Sequence, residues 1–173
     1  MIKKYMTEPI IEKRIEQPYV GIPIYATLLD WDKVNALISE IFDWLDRKDI
    51  EPVGPPFYRY WVIGGIDENY ELEVGVPVER MVTGNSRIIA SSIPGGSYVT
   101  AKHRGHPDLL EYSLEVLEQW SKREELEFDK RWEGEDEIWT GRFEFYLTDP
   151  DEEPDLDKWE IEIAFLLMRD DAA

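Results

Sequence analysis

The chain contains no cysteine, which removes disulfides, thiolate nucleophiles and cysteine metal sites together and suits a reducing compartment. Histidine is almost as scarce. His103 and His106 stand three residues apart at a helix entry with no third ligand in view, so no metal and no cofactor, haem included, is expected. No apolar run is long enough to cross a bilayer, and nothing hydrophobic follows the opening Met1-Ile2-Lys3-Lys4-Tyr5. A soluble, cytoplasmic protein without membrane contact is the expectation. Basic residues are also few: 19 Lys and Arg face 38 Asp and Glu, a formal net charge of −19. Such a field opposes direct nucleic acid binding through phosphates. It is compatible with a solvated surface, with attraction of cations, or with mimicry of nucleic acid toward a DNA-handling enzyme, and charge alone does not choose among these.

What is present fits one domain of 173 residues, long enough to bury about 70% of the surface its unfolded chain exposes. Glu8 to Gln17 and Tyr19 to Leu29 read as strands, with Pro18 and Pro23 marking breaks or an edge. Asp30 is a good cap for the strongest helix, where Val34, Leu37, Ile38, Ile41, Phe42 and Leu45 fall on one face. Glu51-Pro52-Val53-Gly54-Pro55-Pro56 ends it. Phe57 to Ile63 and Tyr70 to Val78 form a strand pair around the turn at 64–69. Strands from Arg87 to Ile93 and from Ser97 to Lys102 lead to a second helix that starts at Pro107 and carries Leu110, Leu114 and Leu117. Arg131 to Asp136 reads as a polar connection. Arg142 to Pro150 and Trp159 to Leu167 are the last strands, joined by an acidic loop.

The two halves repeat, the first over about 8–80 and the second over about 86–169. Tyr25-Ala26-Thr27 matches Tyr98-Val99-Thr100, and Trp44 to Glu51 matches Trp120 to Glu127 with Ile50 and Leu126 equivalent. Phe57-Tyr58-Arg59-Tyr60 matches Phe143-Glu144-Phe145-Tyr146. Tyr70-Glu71-Leu72-Glu73-Val74-Gly75-Val76 matches Trp159-Glu160-Ile161-Glu162-Ile163-Ala164-Phe165 position for position. Each half is strand, helix, strand, strand, too little to bury both sides of its own sheet. The fold class is therefore α+β: two pseudo-symmetric repeats sharing one antiparallel sheet, both helices on one face and a ligand pocket on the other.

A single glutamate on a sheet is ordinarily a solvated residue, but here the pattern recurs. Unbulged period-two strands put Tyr58, Tyr60, Glu73, Glu144, Tyr146 and Glu162 together on the face away from the helices, with Gly75 and Ala164 leaving space. Trp61 and Trp139 are placed near that pocket, whereas Trp44, Trp120 and Trp159, at matching positions, read as core. Aromatic walls backed by carboxylates suit a flat, hydrophobic, cationic small molecule.

Three stretches, Gly95-Gly96-Ser97-Tyr98-Val99-Thr100-Ala101-Lys102-His103-Arg104-Gly105, Phe143-Glu144-Phe145-Tyr146-Leu147-Thr148-Asp149-Pro150 and Ile161-Glu162-Ile163, carry a resemblance to the GyrI-like small-molecule-binding domains, which also serve as effector-binding domains of multidrug-sensing transcription regulators. The resemblance spans nearly the whole chain, with its specific motifs in the second half. It implies the two-repeat fold and a pocket acid on one of the last two strands, Glu144 first and Glu162 second. Members of that family sense drugs, modulate DNA gyrase or hydrolyse cyclopropane-bearing genotoxins. No DNA-binding helix pair precedes the first strand, so a free-standing binder of hydrophobic cations is expected, with toxin hydrolysis as an addition and a gyrase-like protein partner as the alternative. As an enzyme it would use Glu144 as acid or base and Tyr146 as a hydrogen-bond donor. No Ser-His-Asp set is apparent.

Overall fold

The helix α1 (Trp31–Arg47) forms where apolar side chains recur at helical spacing, and it buries Val34, Leu37, Ile41, Trp44 and Leu45. These come from a computed structural model that describes residues 5–64 and 69–169. The expected turn at 64–69 lies outside the described residues over 65–68. Asp30 does not cap α1. Its carboxylate instead accepts from the Thr27 amide and hydroxyl, closing the short 3-10 turn that leads into the helix.

The described residues also form ten strands: β1 (Ile10–Arg14), β2 (Gln17–Ala26), β3 (Phe57–Ile63), β4 (Tyr70–Pro77), β5 (Ile89–Ile93), β6 (Gly96–Arg104), β7 (Lys130–Glu133), β8 (Asp136–Trp139), β9 (Arg142–Tyr146) and β10 (Glu160–Leu166). The second helix, α2 (Leu110–Arg123), follows β6. All ten strands join one strongly curled antiparallel sheet, eight of them in the order β1-β6-β10-β9-β3-β4-β2-β5, with β8 added to β3 and β7 to β8. That order is symmetric about the β9–β3 seam, where Tyr58 pairs with Glu144. The outermost strands are exchanged: β1 of the first half pairs β6 of the second, and β5 of the second pairs β2 of the first. The expected polar connection at 131–136 is a hairpin, β7–β8, turning at Gly134 with φ 63° and pairing β3 through Val62 and Ile138. Its residues are mostly charged and exposed, so no alternation of apolar side chains announces it.

The repeats extend to the helix ends. Asp49 and Glu125 both adopt φ 58°, and beyond them the Ile50 amide donates to Leu45 and the Leu126 amide to Ser121, each at 2.9 Å. Both helices pack on one face, α1 over β2 and β4, α2 over β6 and β10 with Leu117 against Val99, Ile163 and Phe165. The other face is not hollow. Tyr19, Phe57, Tyr98, Phe143 and Phe145 fill it as an aromatic cluster, with Tyr19 and Phe57 rings 5.0 Å apart and Phe57 and Phe143 5.7 Å apart. The space expected at Gly75 is already taken: a Cβ there would stand 2.5 Å from Phe57 Cζ.

Candidate functional site

Because α1 covers β2 and β4 while α2 covers β6 and β10, the central strands β9 and β3 are left between the helices. Arg142, Glu144 and Tyr146 alternate along β9 with Phe143 and Phe145, so the three polar residues point toward the helices and the phenylalanines away. Tyr58, opposite Glu144, and Tyr60 share that helix-facing side.

Glu144 is only 4% exposed. Its Oε1 accepts from Tyr60 Oη at 3.1 Å and from Tyr146 Oη at 3.5 Å. Burial pushes the carboxyl above its usual range, opposed by the Arg142 guanidinium and by the two phenol donors. The Tyr60 and Tyr146 hydroxyls are in turn held well above the ordinary phenol range by burial and by the Glu144 charge, so they remain donors. Tyr58 donates to Asn35 Oδ1 on α1, and its ring lies 4.9 Å from that of Tyr146. Trp31, at the first turn of α1, stacks on Tyr60 at 6.4 Å and meets Tyr58 edge-on at 5.8 Å.

Beside this cluster, between α1 and the far end of β9, lies a cavity of about 770 Å³. Tyr58 and Tyr146 form its inner wall. Ile38, Phe42, Pro55, Pro56, Leu147 and Trp159 make the rest largely apolar, and Asp43, Asp149 and Asp151 stand around it. Among the described residues no Lys, Arg or His lines it. The volume falls within the range that takes drug-sized molecules. Aromatic rings, a buried acid directly behind one of them and a ring of further acids give the cavity a negative potential suited to a hydrophobic cation.

The structure thus brings together Tyr58, Tyr60, Glu144 and Tyr146 but places them on the helix side, not on the opposite face expected from the sequence. It separates the remaining four. Glu162 pairs across from Phe145, one step out of phase with Glu144, so it faces away from the helices and binds Arg14 Nη2 at 2.8 Å. Glu73 and Trp61 are also on that far face, with Trp61 Nε1 donating to Glu73 at 2.5 Å. Trp139 is 1% exposed beneath α2, against Phe128 and Phe165. The cause is shared: the sheet is buried on both faces, so large apolar residues do not mark one side. In β9 they mark the far side and in β10 the helix side, and a bulge between Tyr60 and Val62 resets β3.

Sequence reasoning missed the α1 wall, the rim acids and the part played by Trp159, which had read as core. Ile38 and Phe42 had a signal, since they widen the apolar stripe of α1 beyond what one sheet contact covers. The histidines are structural: His103 is buried with Nδ1 2.7 Å from Ser113 Oγ and Nε2 3.0 Å from the His106 carbonyl, and burial lowers its pKa. Among the described residues no cluster of His, Asp and Glu forms a metal site, and no helix is long and apolar enough to cross a membrane.

Comparison with solved structures finds the same fold. EcmrR, in its complex with DNA, superposes with a TM-score of 0.76 at 18% identity, covering 94% of this chain and 58% of EcmrR. The chain therefore spans little more than half of that protein, and its counterpart is the C-terminal domain, which alone is covered to 98% with a TM-score of 0.70 at 17% identity. SAV2435 bound to tetraphenylphosphonium gives 0.57 at 10% identity, with 94% of each chain covered. A protein described as a hydrolase from Listeria innocua gives 0.63 at 15% identity, covering 93% of this chain and 92% of that one. At these identities the likeness is one of fold. No curated protein matches the sequence. The sequence model for the GyrI-like small molecule binding domain, however, matches residues 7–167, and with the sheet and helices in the same arrangement the chain belongs to the GyrI-like family.

Proposed function

We propose that this protein binds hydrophobic organic cations in the cavity between α1 and β9, with Tyr58 and Tyr146 as ring contacts and Glu144 as the countercharge. The observation that carries this reading is the buried Glu144 carboxylate, held by Tyr60 and Tyr146 behind the Tyr58 and Tyr146 wall of a cavity that no basic described residue lines. The carboxylate acts through the phenol in front of it: a hydroxyl donated to an anion leaves the ring richer in electrons toward a cation. Each ring contact contributes about 0.5 to 2 kcal/mol. A carboxylate about 8 Å from the cation, at an effective dielectric of about 20, adds on the order of 2 kcal/mol, or roughly thirtyfold in affinity. The tetraphenylphosphonium held by SAV2435, a protein of the same fold, supports this choice of ligand class.

The test is calorimetric titration with tetraphenylphosphonium and with neutral triphenylphosphine oxide. Glu144→Gln is expected to weaken the cation by roughly thirtyfold and to leave the neutral compound nearly unchanged. Equal losses for both would remove Glu144 from the role.

Turnover is a separate property of the same site. An acid of raised pKa with two phenol donors is also the equipment for protonating or activating a leaving oxygen, and the Listeria innocua relative of this fold is described as a hydrolase. Tyr146→Phe separates the two. In a binder the ring remains and affinity falls only modestly; in a hydrolase, ring opening of a reactive cyclopropane substrate, followed by mass spectrometry, slows while binding holds. Product formation no faster than in buffer leaves binding alone.

A further inference from the structure

On the sheet face away from both helices a second cavity, of about 290 Å³, is walled by Pro23, Trp61, Val62 and Ile138 and carries Glu71 and Glu73. A bulge creates it. Tyr60 pairs Leu72 and Val62 pairs Glu71, so Trp61 has no partner on β4, and the extra residue lets Trp61 and Val62 line the same cavity. The two carboxylates differ in state. Glu73 is buried and fully engaged, accepting from Tyr19 Oη on Oε1 and from Trp61 Nε1 on Oε2, each at 2.5 Å. Arg59 completes that network by donating to Tyr19 Oη at 3.0 Å, with its guanidinium carbon 3.8 Å from the Trp61 ring centre. Arg59 does not line the cavity, so it secures the indole from behind without presenting a cation to an incoming ligand. Glu71 is only half-buried, and its carboxylate has no hydrogen bond or ion pair among the described residues. The fold thus offers a rigid indole wall, three other apolar side chains and one uncompensated carboxylate.

We propose that this cavity is a second ligand site, taking a small aryl-alkyl ammonium whose charge pairs with Glu71 and whose ring packs on Trp61, Val62 and Ile138. An anion is disfavoured, because the nearest guanidinium is buried and already bonded to Tyr19 and to the Ser92 and Thr140 carbonyls. The volume stands at the lower end of the range for drug-sized ligands, which sets this site apart from the larger cavity under α1. A preformed wall lowers the ordering cost of binding.

The test follows the seven Trp indole signals in ¹H–¹⁵N spectra, with Trp61 identified by the peak lost in Trp61→Phe. Phenethylammonium is expected to move the Trp61 signal saturably, and 2-phenylethanol to bind at least tenfold more weakly. Glu71→Gln should weaken the binding read at Trp61 by about fivefold, as expected for one partly exposed charge pair, and Glu144→Gln should leave the affinity read at Trp61 unchanged. Ile138→Phe, which fills the cavity without touching the carboxylate, should abolish the shift even if Glu71→Gln folds poorly. No saturable shift at Trp61, equal binding of amine and alcohol, or loss of the shift in Glu144→Gln would each overturn the second site.

Discussion

Glu144 is a carboxylate that the fold keeps from water, and its two phenol donors and Arg142 only partly offset the cost of holding it ionised. A raised folded-state pKa has a definite sign. Between the unfolded carboxylate value of about 4.3 and the raised value, the folded form keeps a proton that the unfolded form has lost, so stability falls as pH rises through that window. Glu144→Gln, whose amide oxygen still accepts from Tyr60 and Tyr146, is therefore expected to raise the melting temperature at pH 7. The gain should vanish below about pH 4, and unchanged melting at every pH would contradict the account. Cation binding runs the other way: affinity should weaken as pH drops through the raised value, because protonation removes the countercharge. At this scale the sequence was half legible. The β9 alternation of Glu144 with Tyr146 and the β3 alternation of Tyr58 with Tyr60 identified the four clustered residues. Those four were assigned to the wrong face, whereas Glu73 and Glu162 do lie away from the helices but apart from them, because phase between neighbouring strands depends on register and on a bulge that no residue type announces.

At the scale of elements, the internal repeat carried most of the information. Equating Ile50 with Leu126 foretold two helices that end alike, and each does end on a non-glycine residue in the left-handed region, Asp49 and Glu125. Such a residue costs about 1 kcal/mol relative to glycine. Glu125→Gly is therefore expected to stabilise the protein by about 0.5 to 1 kcal/mol, seen as a rise of about 1 to 4 °C in melting temperature; a fall would contradict it. The hairpin β7–β8 was not legible, since an exposed pair of four-residue strands rich in Arg, Glu and Asp has the composition of a loop. Only Gly134, in a conformation that favours glycine, hinted at its turn.

In the molecule as a whole, two half-sheets meet at the β9–β3 seam, each half exchanges its leading strand with the other, and two helices flank the seam from one face. The pairing of repeats and the single-sided helices followed from the sequence, because neither half could bury its own sheet. The side on which the cavity lies did not follow, because the far face is closed by its own aromatic cluster and leaves the seam under α1 as the larger opening. Two-fold pseudo-symmetry does not make the sites equivalent: the Tyr58 and Glu144 positions pair across the seam but carry a phenol on one half and an acid on the other. The central claim is that this asymmetric seam captures a hydrophobic cation against Tyr58 and Tyr146 in front of Glu144. The most direct measurement is a crystal structure of the protein with tetraphenylarsonium, whose arsenic is located by anomalous scattering. One strong arsenic peak in the cavity between α1 and β9, with phenyl groups against Tyr58 and Tyr146 and Glu144 behind them, is the predicted result; a cation bound only elsewhere, with this cavity empty at saturating concentration, would contradict it.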